Sequence, residues 1–195
     1  MGKVITALSM SLDGFIAGPN DEVEHVFAWY FNGDNEFSYP GTDVVFKVSR
    51  ASAALMQEAS STTGAIVYGR RTFDVAGAWG GKPPLGVPCF IVTHTAPPQW
   101  MYGGSPFTFV TDGIASAVAQ AQVAAGKKNV AVGSATTTQQ CLQAGLLDEI
   151  HIDLASVLLG AGVRLFDHLG IEHIELERTR VVDGIGVTHL QFRVI

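Results

Sequence analysis

The segment Asn129–Gly145, NVAVGSATTTQQCLQAG, constrains the fold of this chain more than any other. It opens with apolar residues typical of a short buried strand and passes through a turn of very small residues at Gly133–Ala135. It continues as a predicted helix, Thr136–Ala144, that Gly145 ends. Backbone N–H groups in such a turn lie at the positive end of the helix dipole and can bind an anion. The pattern predicts a strand–turn–helix unit that can hold the diphosphate of a nucleotide, although many such junctions hold no ligand.

A second junction of the same kind follows the predicted strand Ala65–Tyr68. The chain continues as Gly69–Phe73, GRRTF, a glycine turn that leads into a short helix. Here the guanidinium groups of Arg70 and Arg71 and the hydroxyl of Thr72 accompany the free backbone N–H groups. Charge-assisted hydrogen bonds strengthen phosphate binding, so these three side chains are candidate phosphate ligands. The alternative is a solvated arginine pair at the start of a surface helix.

The rest of the chain alternates between strand and helix patterns. The predicted strands are Lys3–Ser9, Phe15–Ala17, Ala65–Tyr68, Val87–Thr93, Phe107–Val110, Val130–Val132 and Ile150–Ala155. The predicted helices are Asp43–Ser60, a helix that Asp112 caps and that runs to Ala125, Thr136–Ala144 and one turn at Arg164–Phe166. The alternating segments Ile171–Val182 and Gly186–Val194 then meet at Asp183–Gly184, which suits a tight hairpin. We expect one α/β domain over residues 1–195, with a mostly parallel central sheet, helices on both faces and an antiparallel C-terminal hairpin.

The first predicted strand is apolar on both faces, with Ile5 and Ala7 opposite Val4 and Leu8, which predicts a central strand covered on both sides. Asp13 follows this strand in the turn SLDG. One interpretation is a loop in which Asp13 bonds its own backbone. The other is that Asp13 faces a ligand at the end of the strand.

The least regular region is 20–42, which is rich in aromatic residues between acidic residues and turn formers. An aromatic loop in a compact domain is usually a lid, a pocket wall or a subunit contact. We expect Phe27, Trp29 and Tyr30 to form a substrate-pocket wall that also takes part in a dimer contact. Further along, His94 at a strand end has no serine or cysteine partner in a recognisable triad arrangement.

Composition excludes several classes of function. The formal net charge is −6 and no cluster of Lys and Arg forms a basic stripe, which argues against a nucleic-acid surface. No apolar run is long enough to span a membrane. Cys89 and Cys141 lack metal-ligand spacing and are typical of small buried residues in a reducing cytoplasm, so we expect no metal site and a cytoplasmic protein.

Taken together, these segments resemble the dihydrofolate reductase-like superfamily and, within it, the RibD C-terminal family of riboflavin-biosynthesis reductases. The matching segments are SLDGFIA, YGRRTF, VTHT, AVGSAT and LDEIHIDLASVLLGAGVRLF, of which the last is the most specific. The resemblance implies NADPH as the cofactor, a homodimer and a substrate of the 5-amino-6-(5-phosphoribosylamino)uracil type. The cofactor-binding positions that it implies are Ala7, Ile16, Ala17, Gly69, Arg70, Arg71, Thr72, Thr93, His94, Val132, Gly133, Ser134, Ala135 and Thr136.

Three positions depart from the family pattern. Ser134 replaces the second glycine of the diphosphate turn, and Ser156 replaces a proline of the last segment. The helix segment Ser49–Leu55, SRASAAL, lacks the carboxylate with which dihydrofolate reductases bind the pterin. Asp13 is then the candidate for orienting the substrate or a proton-donating water.

Two other functions remain as alternatives to a riboflavin-pathway reductase: a dihydrofolate- or pteridine-type reductase and a non-catalytic NADP-binding protein. A Rossmann dehydrogenase is disfavoured because SLDG, rather than G-x-G-x-x-G, follows the first strand.

Overall fold

The computed structural model describes residues 2–40, 42–167, 169–170 and 173–195. The strands are β1 (Val4–Ser11), β2 (Phe15–Ala17), β3 (Asn35–Phe37), β4 (Phe46–Val48), β5 (Thr63–Gly69), β6 (Cys89–Val92), β7 (Phe107–Val110), β8 (Asn129–Val132), β9 (Glu149–Ala155), β10 (Val163–Arg164), β11 (Leu176–Gly184) and β12 (Val187–Val194). The α-helices are α1 (Arg50–Thr62), α2 (Arg70–Val75), α3 (Ile114–Ala125) and α4 (Ala135–Gln143).

An eight-stranded sheet in the order β11-β12-β9-β1-β8-β5-β6-β7 organises the molecule. The six strands from β9 to β7 are parallel, while β12 runs antiparallel to β9 and β11 runs antiparallel to β12. This arrangement confirms the predicted mostly parallel sheet with an antiparallel C-terminal hairpin. Because the parallel strands share one direction, their carboxyl ends gather the β1, β5, β6, β8 and β9 loops at one edge.

The two faces of the sheet are covered differently. On one face, α3 and α4 pack on a continuous apolar core that includes Val4, Val130 and Ile152. On the other face, α1 and the aromatic segment cover only part of the strands. There Ala7 is exposed and lines an open groove of about 470 Å³ beside His151, so the prediction that β1 is covered on both sides is wrong at this position.

Helix α1 begins at Arg50, seven residues later than predicted. Ser49 caps it by accepting the N–H of Ser52 at 3.1 Å. The preceding residues form β4, which pairs with β3 in a small antiparallel hairpin inside the aromatic region. The apolar spacing between residues 43 and 48 fits either a helix or a strand, and the serine cap decided the boundary. The predicted cap of the next helix by Asp112 is wrong, because α3 starts after Gly113 and no side chain caps it.

The C-terminal third holds two further differences. Val163–Arg164 is a short strand that pairs with β2, so the predicted helical turn at 164–166 is wrong. The hairpin between β11 and β12 is confirmed, but its two-residue turn is Ile185–Gly186 rather than Asp183–Gly184. Gly186 has φ +74° and so supplies the left-handed conformation that the turn needs. Ile171, the predicted start of this segment, lies outside the described residues.

Candidate functional site

The two glycine turns lie side by side at the carboxyl edge of the sheet, because β5 and β8 are neighbouring parallel strands. The Ser134 hydroxyl joins them: it accepts the N–H of Gly69 at 3.2 Å and lies 2.6 Å from the hydroxyl of Thr72. Gly69, Thr72 and Ser134, which the sequence assigned to one cofactor, are therefore in direct contact. The serine at the second position of the diphosphate turn is the side chain that connects the two predicted phosphate sites.

The N-termini of α2 and α4 both carry no side-chain cap. Because the Ser134 hydroxyl bonds to the turn before α2, it does not satisfy the first N–H groups of its own helix, α4. Ser134 also has φ +84°, an uncommon conformation for a residue with a side chain, and such strain often occurs at functional sites. Val132 and Ala135 are buried, whereas Thr136 is exposed at the start of α4. These features suit an anion bound through backbone N–H groups.

Gly133 packs directly against an aromatic ring, a contact that the sequence did not suggest. A Cβ atom at this position would lie 1.9 Å from Cε1 of Tyr68, whose ring fills that space. Tyr68 itself stacks on Trp79 with ring centroids 5.0 Å apart. Glycine is therefore required here for contact with the Tyr68 ring, whether or not a ligand binds nearby.

Both arginines of the β5 turn already have acidic partners. Arg70 Nε lies 2.9 Å from both carboxylate oxygens of Asp74, and another N–H of its guanidinium donates to the carbonyl of Thr95 at 2.9 Å. Arg71 pairs with Asp21 at 2.9 Å, which links α2 to the loop after β2. An incoming phosphate would therefore compete for these charges with two carboxylates, of which Asp74 is half-exposed and Asp21 is more buried.

The predicted 2′-phosphate end is connected to the same cluster. The Thr93 hydroxyl donates to the carbonyl of Thr95 at 2.9 Å, and that carbonyl also accepts from Arg70. His94 lies between the two threonines and is exposed. Thr93 and His94 are therefore adjacent to the Gly69–Arg70 turn, as expected for one extended binding cleft.

The predicted nicotinamide contacts do not form one surface. Ile16 packs against the core on the α3–α4 side of the sheet, and Ala17 is buried where β2 pairs with Val163. Ala7 lies on the opposite face, in the open groove beside α1. Ile16 and Ala17 are consecutive residues of β2, so their side chains point to opposite faces of that strand, and the side chain of Ala7 is separate from both.

Asp13 is fully engaged within the protein. Its Oδ1 accepts from the Ser11 hydroxyl at 2.6 Å and from the N–H of Leu159 at 3.1 Å, while its Oδ2 accepts from the N–H of Gly160 at 2.7 Å. The Ser11 hydroxyl is the main cause of a pKa lowered from 3.8 to about 2, and the two backbone bonds add to it. These contacts fasten the β1 turn to the loop after β9, which favours a structural role for Asp13.

The three predicted pocket aromatics pack at the carboxyl end of β1. Trp29 is 2% exposed, donates its indole N–H to Ser9 at 3.0 Å and stacks on Tyr30 with ring centroids 3.9 Å apart. Phe27 meets Tyr30 edge to face at 5.4 Å. Burial, aided by the charges of Tyr39 and Asp153, raises the pKa of Tyr30 well above its ordinary value. The phenol therefore stays neutral at any ordinary pH.

One polar group beneath these rings was absent from the sequence-based candidates. His189 lies with its Nδ1 2.6 Å from Asp153 Oδ1 and its Nε2 2.8 Å from the Ser52 hydroxyl. His189 and Ser52 are 4% and 0% exposed. The alternation of β9 and β12 places Asp153 and His189 inward. The sequence carries no clear signal for them, because the same faces of β9 and β12 also bear the polar residues Glu149, His151, Gln191 and Arg193.

The described part of the chain shows neither a membrane-spanning helix nor a metal-binding cluster. None of its helices is long and apolar enough to cross a membrane. No three His, Cys, Asp or Glu side chains among these residues come together as a metal-binding group.

Comparison with known proteins gives a family match and several structural neighbours. A family model described as the RibD C-terminal domain matches residues 2–189. No curated protein matches the chain. A structure named as a riboflavin biosynthesis protein from Shewanella sp. PV-4 is 22% identical, with 99% of both chains covered and a TM-score of 0.72.

The names of two further structural neighbours state an enzyme activity. The diaminohydroxyphosphoribosylaminopyrimidine deaminase/5-amino-6-(5-phosphoribosylamino)uracil reductase of Thermotoga maritima is 11% identical, with a TM-score of 0.61; the alignment covers all of this chain (100%) but 57% of the other. Dihydrofolate reductase from Enterococcus faecalis, complexed with NADP(H), is 12% identical over 99% of this chain and 96% of that one, with a TM-score of 0.59. These likenesses establish a dihydrofolate reductase-like fold.

Proposed function

This chain belongs to the RibD C-terminal domain family, and on that premise we propose that it is an NADPH-dependent reductase of a small heterocyclic molecule. The observation that carries the proposal is the Ser134 hydroxyl, which joins the β5 and β8 turns into one polar cluster. Two uncapped helix N-termini at adjacent strand ends give that cluster several backbone donors for an anion.

The residues of this cleft fit a dinucleotide phosphate. The first turn of α4 offers N–H groups, while Arg70, Arg71 and Thr72 offer donors at the neighbouring turn. Thr93 and His94 extend the same edge toward the site proposed for the 2′-phosphate. When bound, NADPH would supply a hydride to the substrate. The protein's own part is to orient the two molecules and exclude water. The aromatic wall above β1, formed by Phe27, Trp29 and Tyr30, is suited to this part.

The proposed substrate is a pyrimidine of the 5-amino-6-(5-phosphoribosylamino)uracil type, supported by the family and by the activity named for the Thermotoga neighbour. The residues facing the sheet from the first half of α1 include no carboxylate, which favours a pyrimidine over dihydrofolate. The same lack of an acid in the first half of α1 is the observation that supports a second candidate, a nucleotide-binding protein without catalysis.

We also propose a cytoplasmic homodimer. Cys89 and Cys141 are both free and buried, as suits a reducing compartment. The outer strand β11 is exposed along most of its nine residues and leaves one edge of the sheet available for pairing with a second copy. Sedimentation velocity would show a dimer of twice 20.7 kDa, and a monomer at micromolar concentration would contradict this part of the proposal.

The reductase proposal is tested by titrating NADPH and NADH into the protein and following tryptophan fluorescence. We expect NADPH to bind more tightly than NADH. Arg70→Ala and Arg71→Ala should each weaken NADPH binding, because each removes a charge from the phosphate cluster. Lys127→Ala removes an exposed positive charge after α3, away from both turns and from β11, and as the control it should leave the affinity unchanged. Absence of binding by both nucleotides would refute the proposal.

A further inference from the structure

Three polar residues form a row across neighbouring strands beneath the aromatic wall. Ser9 on β1 is directly opposite Asp153 on β9, and Asp153 is directly opposite His189 on β12. Residues in such register point to the same face of a sheet, here the face that α1 covers. The row therefore places one carboxylate at the carboxyl end of β9, next to the strand end where the predicted pocket begins.

A hydrogen-bond chain fixes the orientation of this carboxylate. A carboxylate only accepts, so His189 Nδ1 must carry the hydrogen that it shares with Asp153 Oδ1. In the neutral imidazole, Nε2 then accepts from the Ser52 hydroxyl, which in turn accepts from the Ser49 hydroxyl at 2.9 Å. Ser49 also accepts the N–H of Ser52, so every member of the chain has a partner. The hydrogen bond from Ser52 at the start of α1 thus fixes the orientation of the His189 ring, and the bond from His189 fixes the orientation of the Asp153 carboxylate.

The close packing around this chain supports a specific role. A Cβ atom on Gly184 would lie 2.6 Å from the Ser52 hydroxyl and 3.2 Å from His189 Nε2. Trp29 meets the His189 ring edge to face with centroids 5.2 Å apart. His189 therefore has little freedom to rotate, and it presents Asp153 in one orientation.

Asp153 differs from Asp13 in what its second oxygen does. Both oxygens of Asp13 accept hydrogen bonds from the protein. Asp153 uses Oδ1 for His189, its side chain is 28% exposed, and within the described residues no donor bonds to its Oδ2. Its negative charge contributes to the raised pKa values of Tyr30 and Tyr39, after the larger effect of burial, which places it among these rings.

We propose that Asp153 is the substrate-binding carboxylate of the cleft, and that its Oδ2 accepts a ring N–H from a neutral nitrogen heterocycle. His189 and Ser52 are positioning residues that act through Asp153. This inference rests on the proposed reductase function and names the substrate class of the same site. One free oxygen matches one ring N–H, such as that of a uracil, and the neighbouring aromatic rings match the flat faces of the heterocycle.

The test uses two probes that share one heterocycle and differ in its ring N–H groups: 5,6-diaminouracil has two, and in 5,6-diamino-1,3-dimethyluracil both are replaced by N–CH3. Binding of each is measured by calorimetry with NADPH present. The wild-type protein should bind the first about 10- to 100-fold more tightly, since a hydrogen bond to a charged group is lost with the second. Equal affinities, or no binding of either at millimolar concentration, would overturn the inference.

Variants assign the preference to Asp153. In Asp153→Asn, the amide oxygen still accepts from His189 and the NH2 group faces the cleft, so the preference for the N–H probe should disappear. Asp112→Asn makes the same change at an exposed position and should keep it. NADPH binding is measured in each sample. Its loss from the wild type counts against the reductase proposal, whereas intact NADPH binding without a probe preference counts against Asp153 alone.

The positioning role of His189 has its own readout. His189→Asn keeps a side-chain N–H near the place of Nδ1, whereas His189→Phe keeps a ring without a donor. We expect the asparagine variant to retain most of the probe preference and the phenylalanine variant to lose it. If both variants lower thermal stability yet keep the wild-type preference, His189 is only structural and the positioning role is refuted.

Discussion

Replacing Gly133 by alanine tests whether the β8 turn is shaped by the Tyr68 ring. The added Cβ atom would lie 1.9 Å from Cε1, 2.5 Å from Cδ1 and 3.1 Å from Cζ of that ring. An ordinary contact needs 3.4 Å or more, so the ring must move by more than 1 Å. The turn has little freedom to yield, because the N–H of Gly133 bonds to the carbonyl of Val67 at 2.9 Å.

The cost is expected near the upper end of the range for overpacking. Tyr68 is held between this turn and Trp79, and burial raises the pKa of its phenol well above the ordinary value of 10.0. Overpacked cores lose about 1–3 kcal/mol. For a chain of this length, each kcal/mol lowers the unfolding midpoint by about 2–4 °C. We therefore expect Gly133→Ala to lower it by roughly 6–12 °C.

Urea and thermal unfolding, followed by circular dichroism, measure this change. Gly69→Ala is the matched control: a Cβ atom there meets only ordinary contacts of 3.5 Å or more, at φ −78°. Its free energy of unfolding should stay within about 1 kcal/mol of the wild type. In a Tyr68→Leu background, the cost of Gly133→Ala should be smaller. Equal costs in both backgrounds would refute the assignment of the clash to Tyr68.

Three other changes have definite expected outcomes. Asp21→Asn frees the charge of Arg71, so NADPH should bind up to about fivefold more tightly in a fluorescence titration, since an exposed ion pair is worth about 0.2–1 kcal/mol; unchanged affinity would count against Arg71 as a phosphate ligand. Because folding lowers the pKa of Asp13 from 3.8 to about 2, its contribution to stability is present above pH 3.8 and is lost as the pH falls toward 2. The difference in urea midpoint between wild type and Asp13→Asn should therefore be present at pH 6 and shrink in acid; a constant difference would contradict this. Burial raises the pKa of Cys89 and Cys141 to about 12, so neither should react with a disulfide reagent until urea unfolds the protein, and rapid labelling of the native protein would show the burial to be wrong.

The sequence predicted the two glycine turns well because their signals are local. A strand, a small residue and a helix follow one another within a few positions, and strand direction then fixes the edge at which they meet. The partner of Arg70 is equally local, since Asp74 lies four residues further along the same helix. The partner of Arg71 was not predictable in the same way. Asp74 and Asp21 neutralise Arg70 and Arg71, and the second of these pairs joins residues 50 positions apart.

The candidate substrate carboxylate was missed for the same physical reason. Asp153 and His189 are 36 positions apart, and His189 and Ser52 are 137 apart. Each looks ordinary within its own strand or helix, and only the register of β9 against β12 brings them together. The functional prediction was instead assigned to Asp13, because its turn, SLDG, is easy to recognise in the sequence. Its backbone partners at Leu159 and Gly160 come from a loop that no local pattern connects to it.

The place of β1 in the sheet also sets the order in which the chain can assemble. β1 lies between β8 and β9, and the N–H of Val4 bonds to the carboxylate of Asp148, 144 positions away. As the polypeptide leaves the ribosome, β5, β6 and β7 follow one another and can pair as soon as they emerge. β1 must wait for both neighbours, and the entropy of closing such long loops delays it further. Residues 4–11 are therefore the segment most exposed to misassociation, and thus to chaperone binding, while the protein is being made.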